Sequence, residues 1–195
     1  MKACCRAQKR ANPHGAAQQS LPKSLLVYSA APSAATCSSN LRPTSLLPAP
    51  AVVLDTNTVL DWLVFRDAAA APLCAALESG ALRWLACQRM RDELARTLGY
   101  RSLASWNPDS ERVLSVFDCC ADLHPEPPPA PLTLRCSDPD DQVFLDLALA
   151  HGVPWLLTHD RALLRLARRT RALGLCITTP GHWHPTQERA ARPTG

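Results

Sequence analysis

The sequence predicts a single α/β domain built on a parallel sheet. From residue 51 onward, short apolar stretches rich in branched residues alternate with longer amphipathic stretches. The short stretches are typical of strands that are buried on both faces, and the longer ones are typical of the helices that cover them. Because strands alternate with helices, we expect parallel pairing, with helices on both faces of the sheet.

Composition narrows the class of protein. A length of 195 residues allows one domain with a packed core, and a hydrophobic fraction of 47% argues against wholesale disorder. The formal net charge of +4 is compatible with nucleic-acid binding without being diagnostic of it. The nine cysteines include no C-x-x-C pair, which disfavours a zinc ribbon and is typical of free thiols in a reducing compartment. No apolar run approaches the roughly 20 residues that cross a bilayer, so we expect a cytoplasmic protein without membrane contact.

The chain divides into three segments that differ in composition and in the structure we expect of them. Residues 1–50 contain no Asp or Glu and are rich in Ala, Ser and Pro. We expect them to be a disordered basic extension or the product of a translation start assigned too far upstream, with a transit peptide as the alternative. Residues 51–180 should form the folded domain. Residues 181–195 are predicted to be a flexible tail.

Four strands are predicted from apolar runs: "AVVLD" (51–55), "LRWLAC" (82–87), "VPWLLT" (153–158) and "LCITT" (175–179). Helices are predicted between and beside them, at residues 56–65, 68–80, 88–100, 107–123, 138–152 and 160–174. Met90, Leu94 and Leu98 should form the buried stripe of one helix. Asn107 or Asp109 should cap the next.

Acidic residues recur where strands end and helices begin. Asp55 follows the first strand directly, and Asp160 follows "WLLT" in the same way. Glu93 lies one to two turns into the helix after "WLAC". Three more acids open the helix predicted at 138–152, namely Asp138, Asp140 and Asp141. Since the carboxyl ends of parallel strands meet at one edge of the sheet, these carboxylates should gather in one crevice.

Gathered carboxylates repel one another unless a cation lies among them. A hard divalent ion such as Mg²⁺ or Mn²⁺ prefers oxygen ligands of this kind, and the sequence offers no Cys or His cluster for a softer metal. Taken singly, Asp55, Asp138 and Asp160 are also ordinary helix caps, and Glu93 is an ordinary helix-surface acid. The metal hypothesis therefore depends on their predicted convergence.

The order and spacing of four motifs resemble the PIN-domain nucleases: "VVLDTN" (52–57), "DEL" (92–94), "DPDDQVFLDLALAHG" (138–152) and "LLTHD" (156–160). The resemblance covers about residues 51–180 and is closest to bacterial toxins of toxin–antitoxin pairs, the VapC-like group. It implies a five-stranded parallel sheet in which the first and fourth strands are neighbours.

The resemblance also implies four catalytic, metal-binding acids: Asp55, Glu93, Asp141 and Asp160. Asp138 and Asp140 are alternates for the third position. Asn57 and Thr158 would support the site. The cofactor would be one or two Mg²⁺ or Mn²⁺ ions.

The implied function is hydrolysis of RNA phosphodiester bonds by the toxin of a toxin–antitoxin pair. An antitoxin protein and a second copy of the chain, forming a homodimer, would be its partners. Because RNA is a polyanion, basic side chains near the crevice should contribute to binding. The candidates are Arg89, Arg161, Arg165, Arg168 and Arg169.

Two alternatives stay open. Asp55, Asn57 and Val59 nearly fit the D-x-D-x-T/V motif of haloacid-dehalogenase-like phosphatases, but Asn57 replaces the second acid, and no lysine occurs after Lys23. The other alternative is a catalytically inactive PIN fold that binds RNA or protein. Asp61 fits none of these interpretations and is predicted to occupy a solvated helix position.

Overall fold

The computed structural model describes residues 48–184. Residues 1–47 and 185–195 lie outside the described part of the chain. The expectations for the basic extension and for the end of the tail therefore stay predictions.

Five parallel strands form one sheet among the described residues. In chain order they are β1 (Ala51–Leu54), β2 (Arg83–Cys87), β3 (Ala121–His124), β4 (Trp155–Leu157) and β5 (Cys176–Thr178). Their order across the sheet is β3-β2-β1-β4-β5, and every neighbouring pair is parallel. The predicted α/β fold and the adjacency of the first and fourth strands are confirmed.

The central strand β1 is covered on both sides. Val52 and Val53 are both fully buried, and successive side chains of a strand point to opposite faces. Val53 lies opposite Leu85 of β2 and Leu156 of β4. The run of branched apolar residues therefore forms the middle of the core, as expected for a parallel sheet.

Within residues 48–184, seven α-helices connect the strands: α1 (Thr56–Leu60), α2 (Ala71–Glu78), α3 (Gln88–Leu98), α4 (Ser110–Cys120), α5 (Gln142–Ala150), α6 (Arg161–Leu164) and α7 (Ala167–Thr170). Helix α1 continues directly into a π-helical segment, Asp61–Phe65. The predicted stripe of α3 is confirmed, since Met90, Leu94 and Leu98 are all buried. Asp109 caps α4 by accepting a hydrogen bond from the Arg112 amide at 3.0 Å.

One strand differs from the sequence prediction. The helix predicted over 107–123 ends at Cys120, and the chain enters β3 without an intervening loop. Strand β3 is at the edge of the sheet and its burial is only partial. Asp122 and His124 alternate with Ala121 and Leu123, so β3 has no continuous apolar run. The pattern that predicts the other strands is therefore absent from β3.

Two predicted helices are shorter than expected. Helix α5 begins at Gln142 rather than at Asp138, because residues 138–141 form a turn in which the Asp140 amide donates to Asp138 Oδ1 at 3.0 Å. The predicted basic helix at 160–174 is broken into α6, α7 and a 3-10 turn. The break falls where the Leu166 amide bonds the Leu163 carbonyl at 2.9 Å, a tightened turn that buries both leucines.

The start of the predicted flexible tail belongs to the core. Pro180–His182 form a 3-10 turn, and the next residue, Trp183, is only 1% exposed. Its ring meets the ring of Trp155 edge to face, with centroids 5.8 Å apart. Residues 181–184 are therefore ordered parts of the domain.

None of the helices between residues 48 and 184 is both long enough and apolar enough to span a bilayer.

Candidate active site at the carboxyl ends of the strands

Asp55 lies where β1 ends and α1 begins. Its backbone amide donates to the Leu157 carbonyl at 3.0 Å and so continues the pairing of β1 with β4. Its side chain caps α1, because Oδ1 accepts from the Thr58 amide at 2.7 Å. The residue is 2% exposed. Burial raises the pKa of this carboxyl, although hydrogen bonds from Thr158 and Thr58 act in the opposite direction.

The second oxygen of Asp55 is bound by the turn that follows β4. The Thr158 hydroxyl donates to Asp55 Oδ2, and the His159 amide approaches the same oxygen at 3.3 Å. The Thr158 oxygen in turn accepts from the Asp160 amide at 2.8 Å. A single buried threonine therefore connects Asp55 to the turn that contains Asp160.

Asp160 is held as the cap of α6. Its Oδ1 accepts from the amides of Ala162 and Leu163, at 2.6 and 3.0 Å. Its side chain is partly exposed. The capping role predicted for a single aspartate is thus present, and it fixes the direction of the carboxylate at the edge of the sheet.

Glu93 reaches the same edge from α3. Its Oε1 accepts a hydrogen bond from the Thr56 hydroxyl at 3.2 Å, which connects α3 to the first residue of α1. Burial raises the pKa of Glu93, the Thr56 hydrogen bond lowers it, and the nearby Asp55 raises it further. The sequence did not indicate this role for Thr56, because a threonine after an aspartate is common at the start of any helix.

Asp141, just before α5, shows most directly that the acids converge. Its pKa is raised to about 8, first by burial and then by the charges of Asp160, Asp55, Asp138 and Glu93. Burial alone raises the pKa of a carboxyl, and the four charged neighbours raise that of Asp141 further because they lie close to it. The other three predicted acids therefore all lie within electrostatic range of Asp141, although four different elements carry them.

The sequence profile of the PIN domain matches residues 51–162, more than half of the chain. The chain belongs to the PIN domain family. PIN domains are typically metal-dependent nucleases, so membership indicates nuclease activity on nucleic acid. The matched region contains Asp55, Glu93, Asp141 and Asp160. No curated protein shows a significant match to the chain.

The donor set of this PIN domain fits a divalent cation. Carboxylate oxygens are hard ligands of the kind that Mg²⁺ and Mn²⁺ prefer. Nearby carboxylates add to the effect of burial in raising the pKa values of Glu93 and Asp141, so negative charge is poorly compensated at this edge. A bound cation would relieve that repulsion, and the proteins of this family generally use divalent metals.

The alternates for the third acid are placed differently from Asp141. A carboxylate oxygen of Asp141 lies within 4.8 Å of one of Asp160. Asp138 is engaged in its local turn, where it accepts from the Asp140 amide. Asp140 is exposed, although its charge still raises the pKa of Glu93. Among the three, Asp141 is therefore the acid that lies against Asp160.

Cys136 is a neighbour of the acids that the sequence did not reveal. Its sulfur lies within 4.8 Å of carboxylate oxygens of both Asp141 and Asp160. Burial, followed by the nearby acids, raises the pKa of this thiol to about 11, so it is protonated at neutral pH. No spacing rule could have found it, because it reaches the site from the loop before α5.

A buried polar network attaches that loop to α5. Gln142 Oε1 accepts from the Cys136 amide at 2.6 Å, and Gln142 Nε2 donates to Asp146 Oδ1 at 2.6 Å. The same oxygen of Asp146 accepts from the Ala130 amide at 2.8 Å. Gln142 and Asp146 are both buried. The network fixes the proline-rich loop, and with it the chain that leads to Asp141.

Asp61 does not occupy the solvated position predicted for it. It is 8% exposed, and its Oδ2 lies 2.6 Å from His159 Nε2. His159 stands between Thr158 and Asp160 in the turn that binds Asp55. The partner of Asp61 lies about a hundred residues away in the chain, which explains why local sequence patterns could not identify it.

The remaining predicted site residues are on the surface. Asn57 is exposed, and the hydrogen bonds to Asp55 come from Thr58, Thr158 and His159 instead. All five predicted RNA-binding arginines are exposed: Arg89, Arg161, Arg165, Arg168 and Arg169. Arg169 also donates to the Thr133 carbonyl at 3.2 Å. Their contact with nucleic acid stays a prediction, as does the support from Asn57.

Proposed function

We propose that this PIN domain is a divalent-metal-dependent endoribonuclease and the toxin component of a toxin–antitoxin pair. The observation that carries the proposal is the convergence of carboxylates around Asp141, whose pKa is raised to about 8 by burial and by the acids around it. A group of carboxylates so close together is unfavourable in a purely structural role and useful in a metal site.

Asp55, Glu93, Asp141 and Asp160 would hold one or two Mg²⁺ or Mn²⁺ ions. When bound, such an ion activates water as a nucleophile and stabilises negative charge on the phosphodiester and its leaving group. The protein's part is to orient the four carboxylates and to hold them at the right spacing.

Hydrogen bonds to three of the four acids restrain their carboxylates in this way. Hydrogen bonds from Thr58 and Thr158 fix both oxygens of Asp55, so its carboxylate cannot rotate freely. Two backbone amides fix Asp160. The Thr56 hydroxyl restrains Glu93. Preorganised ligands of this kind lower the reorganisation that metal binding and catalysis would otherwise require.

RNA is the proposed substrate. Arg161, Arg165 and Arg168 are exposed on the helices that follow Asp160, and Arg89 is exposed on the helix that carries Glu93. Positive charge beside the carboxylates would attract the phosphate backbone without competing for the metal. No residue is assigned a covalent role.

The toxin assignment rests on the resemblance of the sequence motifs to the VapC-like group. It carries three further proposals: a cognate antitoxin that binds this chain, a homodimer, and action in the cytoplasm. Co-expression of the chain with the product of the neighbouring reading frame tests the first. Rescue of growth and a stable complex on size-exclusion chromatography are the expected results.

The activity is tested by incubating the purified protein with labelled single-stranded RNA and Mg²⁺ or Mn²⁺. We expect internal cleavage that EDTA abolishes. Asp55→Asn should lower the rate at least about 100-fold, because the loss of a metal ligand costs more than the loss of its supporting partners. The matched control is Asp109→Asn, which changes another helix-capping aspartate on α4 and should cleave like the wild type.

The outcomes separate the alternatives. Cleavage by wild type and Asp55→Asn at equal rates would show that the assigned site is wrong. If the wild type binds RNA but cleaves none with either metal, the inactive binding module is the correct interpretation.

A further inference from the structure

We infer that Asp61 and His159 form a positioning pair that holds the turn after β4 against Asp55 and so sets the spacing of the metal-binding carboxylates. The inference rests on the proposed function. It concerns two residues that do not themselves belong to the set of proposed ligands.

Asp61 is a buried carboxylate with a specific partner. Its side chain is 12% exposed, that of His159 is 33% exposed, and His159 Nε2 lies 2.6 Å from Asp61 Oδ2. Burying a carboxylate is costly unless a donor compensates it. An imidazole that carries its proton on Nε2 would supply that donor at the observed 2.6 Å.

The position of Asp61, directly after α1, explains how it reaches the turn that follows β4. Thr58 donates from its hydroxyl to the Leu157 carbonyl at 3.0 Å, so this face of α1 is turned toward β4. Asp61 follows Thr58 by three residues and therefore lies on the same face, one turn further along. There the chain passes into the π-helical segment, a local widening that is frequent at functional sites.

His159 connects Asp61 to the site through its backbone. Its amide lies 3.3 Å from Asp55 Oδ2, while its ring is held by Asp61. Its two neighbours in the chain are Thr158, which donates to Asp55, and Asp160. A restraint on the His159 ring is therefore a restraint on the turn that supplies two contacts to Asp55 and one acid of the site.

Loss of the pair should loosen the turn without removing a ligand. Groups that orient metal ligands typically contribute about 10–100-fold to metal affinity or activity. We therefore expect Asp61→Ala and His159→Ala each to weaken Mn²⁺ binding about tenfold. His159→Ala keeps the backbone amide that faces Asp55, so its effect reports on the ring alone.

The test is a double-mutant cycle on the Mn²⁺ dissociation constant, measured by titration calorimetry on the full chain. If the two residues act as a pair, the double variant should bind Mn²⁺ no more weakly than either single variant. Asp61→Asn keeps an acceptor for Nε2 and should recover most of the affinity lost in Asp61→Ala. In RNA cleavage, kcat should fall in the single variants while KM stays close to wild type, because no RNA contact is removed.

The control is Asp122→Ala, which removes the carboxylate of an exposed ion pair, Arg83 Nη2–Asp122 Oδ2 at 2.8 Å, between β2 and β3. It should bind Mn²⁺ and cleave RNA like the wild type. Additive losses in the cycle, or Mn²⁺ affinity in Asp61→Ala and His159→Ala equal to the wild type, would overturn the inference while leaving the proposed nuclease intact. A wild type that neither binds Mn²⁺ nor cleaves RNA would overturn both.

Discussion

The Thr158 hydroxyl donates a hydrogen bond to the Asp55 carboxylate, although 103 residues separate the two in the chain. The contact is possible because β1 and β4 are neighbours in the sheet, so that the residues after both strands emerge side by side. It is buried, and the same threonine oxygen accepts the Asp160 amide. The Thr158 hydroxyl therefore fixes the positions of both Asp55 and Asp160 relative to each other.

Replacing Thr158 with valine should damage both stability and the site. Thr158→Val keeps the shape of the side chain but leaves the Asp160 amide without its partner and removes one of the two donors to Asp55 Oδ2. We expect the free energy of unfolding to fall by about 1–3 kcal/mol, and Mn²⁺ binding to weaken. Chemical denaturation and calorimetric titration measure the two effects.

Thr170→Val is the matched control for that variant. Thr170 is also fully buried, and its hydroxyl bonds only the Ala167 carbonyl, at 3.3 Å. It should cost stability without changing Mn²⁺ affinity. Equal Mn²⁺ affinity in wild type and Thr158→Val would show that the threonine is structural only.

The metal-free protein should lose stability as the pH rises. The pKa of Asp141 is raised to about 8 in the folded state, from 3.8 as its ordinary value. The folded state therefore binds more protons than the unfolded state between these values, and the stabilising contribution present at low pH is lost as the pH rises through about 8. In EDTA, the Tm of wild type should be lower near pH 8 than near pH 5.

Asp141→Asn isolates that contribution. The variant cannot ionise at this position, so its metal-free Tm near pH 8 should exceed that of wild type by several degrees, at about 2–4 °C per kcal/mol. Mn²⁺ should raise the Tm of wild type and not that of the variant. Parallel pH profiles for the two proteins in EDTA would contradict the placement of Asp141 among the other acids.

Gln142 should contribute to the stability of the fold and not to catalysis. Gln142→Leu would leave the Cys136 amide without its partner and would remove one of the two donors to Asp146 Oδ1, the other being the Ala130 amide. Each buried polar group left without a partner costs about 1–3 kcal/mol. We expect a clear fall in the denaturation midpoint, whereas Gln88→Leu, which removes an exposed glutamine bonded to Asp92, should have little effect. Comparable stability of both variants would argue against the network that fixes the proline-rich loop.

The exposed arginines should contribute to RNA affinity through charge. Arg165→Ala should weaken binding of a non-cleavable RNA and reduce the slope of log affinity against log salt by about 0.7, the value for one contact with a single strand. Arg83→Ala removes a cation already paired with Asp122 and should leave the slope unchanged. A slope that is identical in wild type and Arg165→Ala would remove this arginine from the RNA-binding surface.

The central strands of the sheet could be predicted because the apolar pattern that identifies each of them lies within a short stretch of sequence. Val52, Val53 and Leu156 lie in short apolar runs that only a strand buried on both faces explains. Strand β3 escaped detection since an edge strand with alternating polar residues needs no such run. The break between α6 and α7 was not predicted either, because it depends on which leucines pack into the core of the folded domain.

The sequence indicated the four acids and Thr158, but not the other residues that contact them. Asp55 and Asp160 are identified by their places after strands, which is a feature of chain order. Thr56, Cys136 and His159 reach the site through tertiary contacts with distant residues. Asp61, which looks like a surface residue of a short helix, is buried for the same reason.

The central claim is that four carboxylates from separate elements hold a divalent metal. The most direct measurement is the anomalous scattering of Mn²⁺ in crystals of the protein. We expect one or two Mn²⁺ peaks at the carboxyl ends of β1 and β4, bound by carboxylate oxygens of Asp55, Glu93, Asp141 and Asp160, and none in crystals of Asp141→Asn. Mn²⁺ bound only elsewhere, or equally strong peaks in the variant, would contradict it.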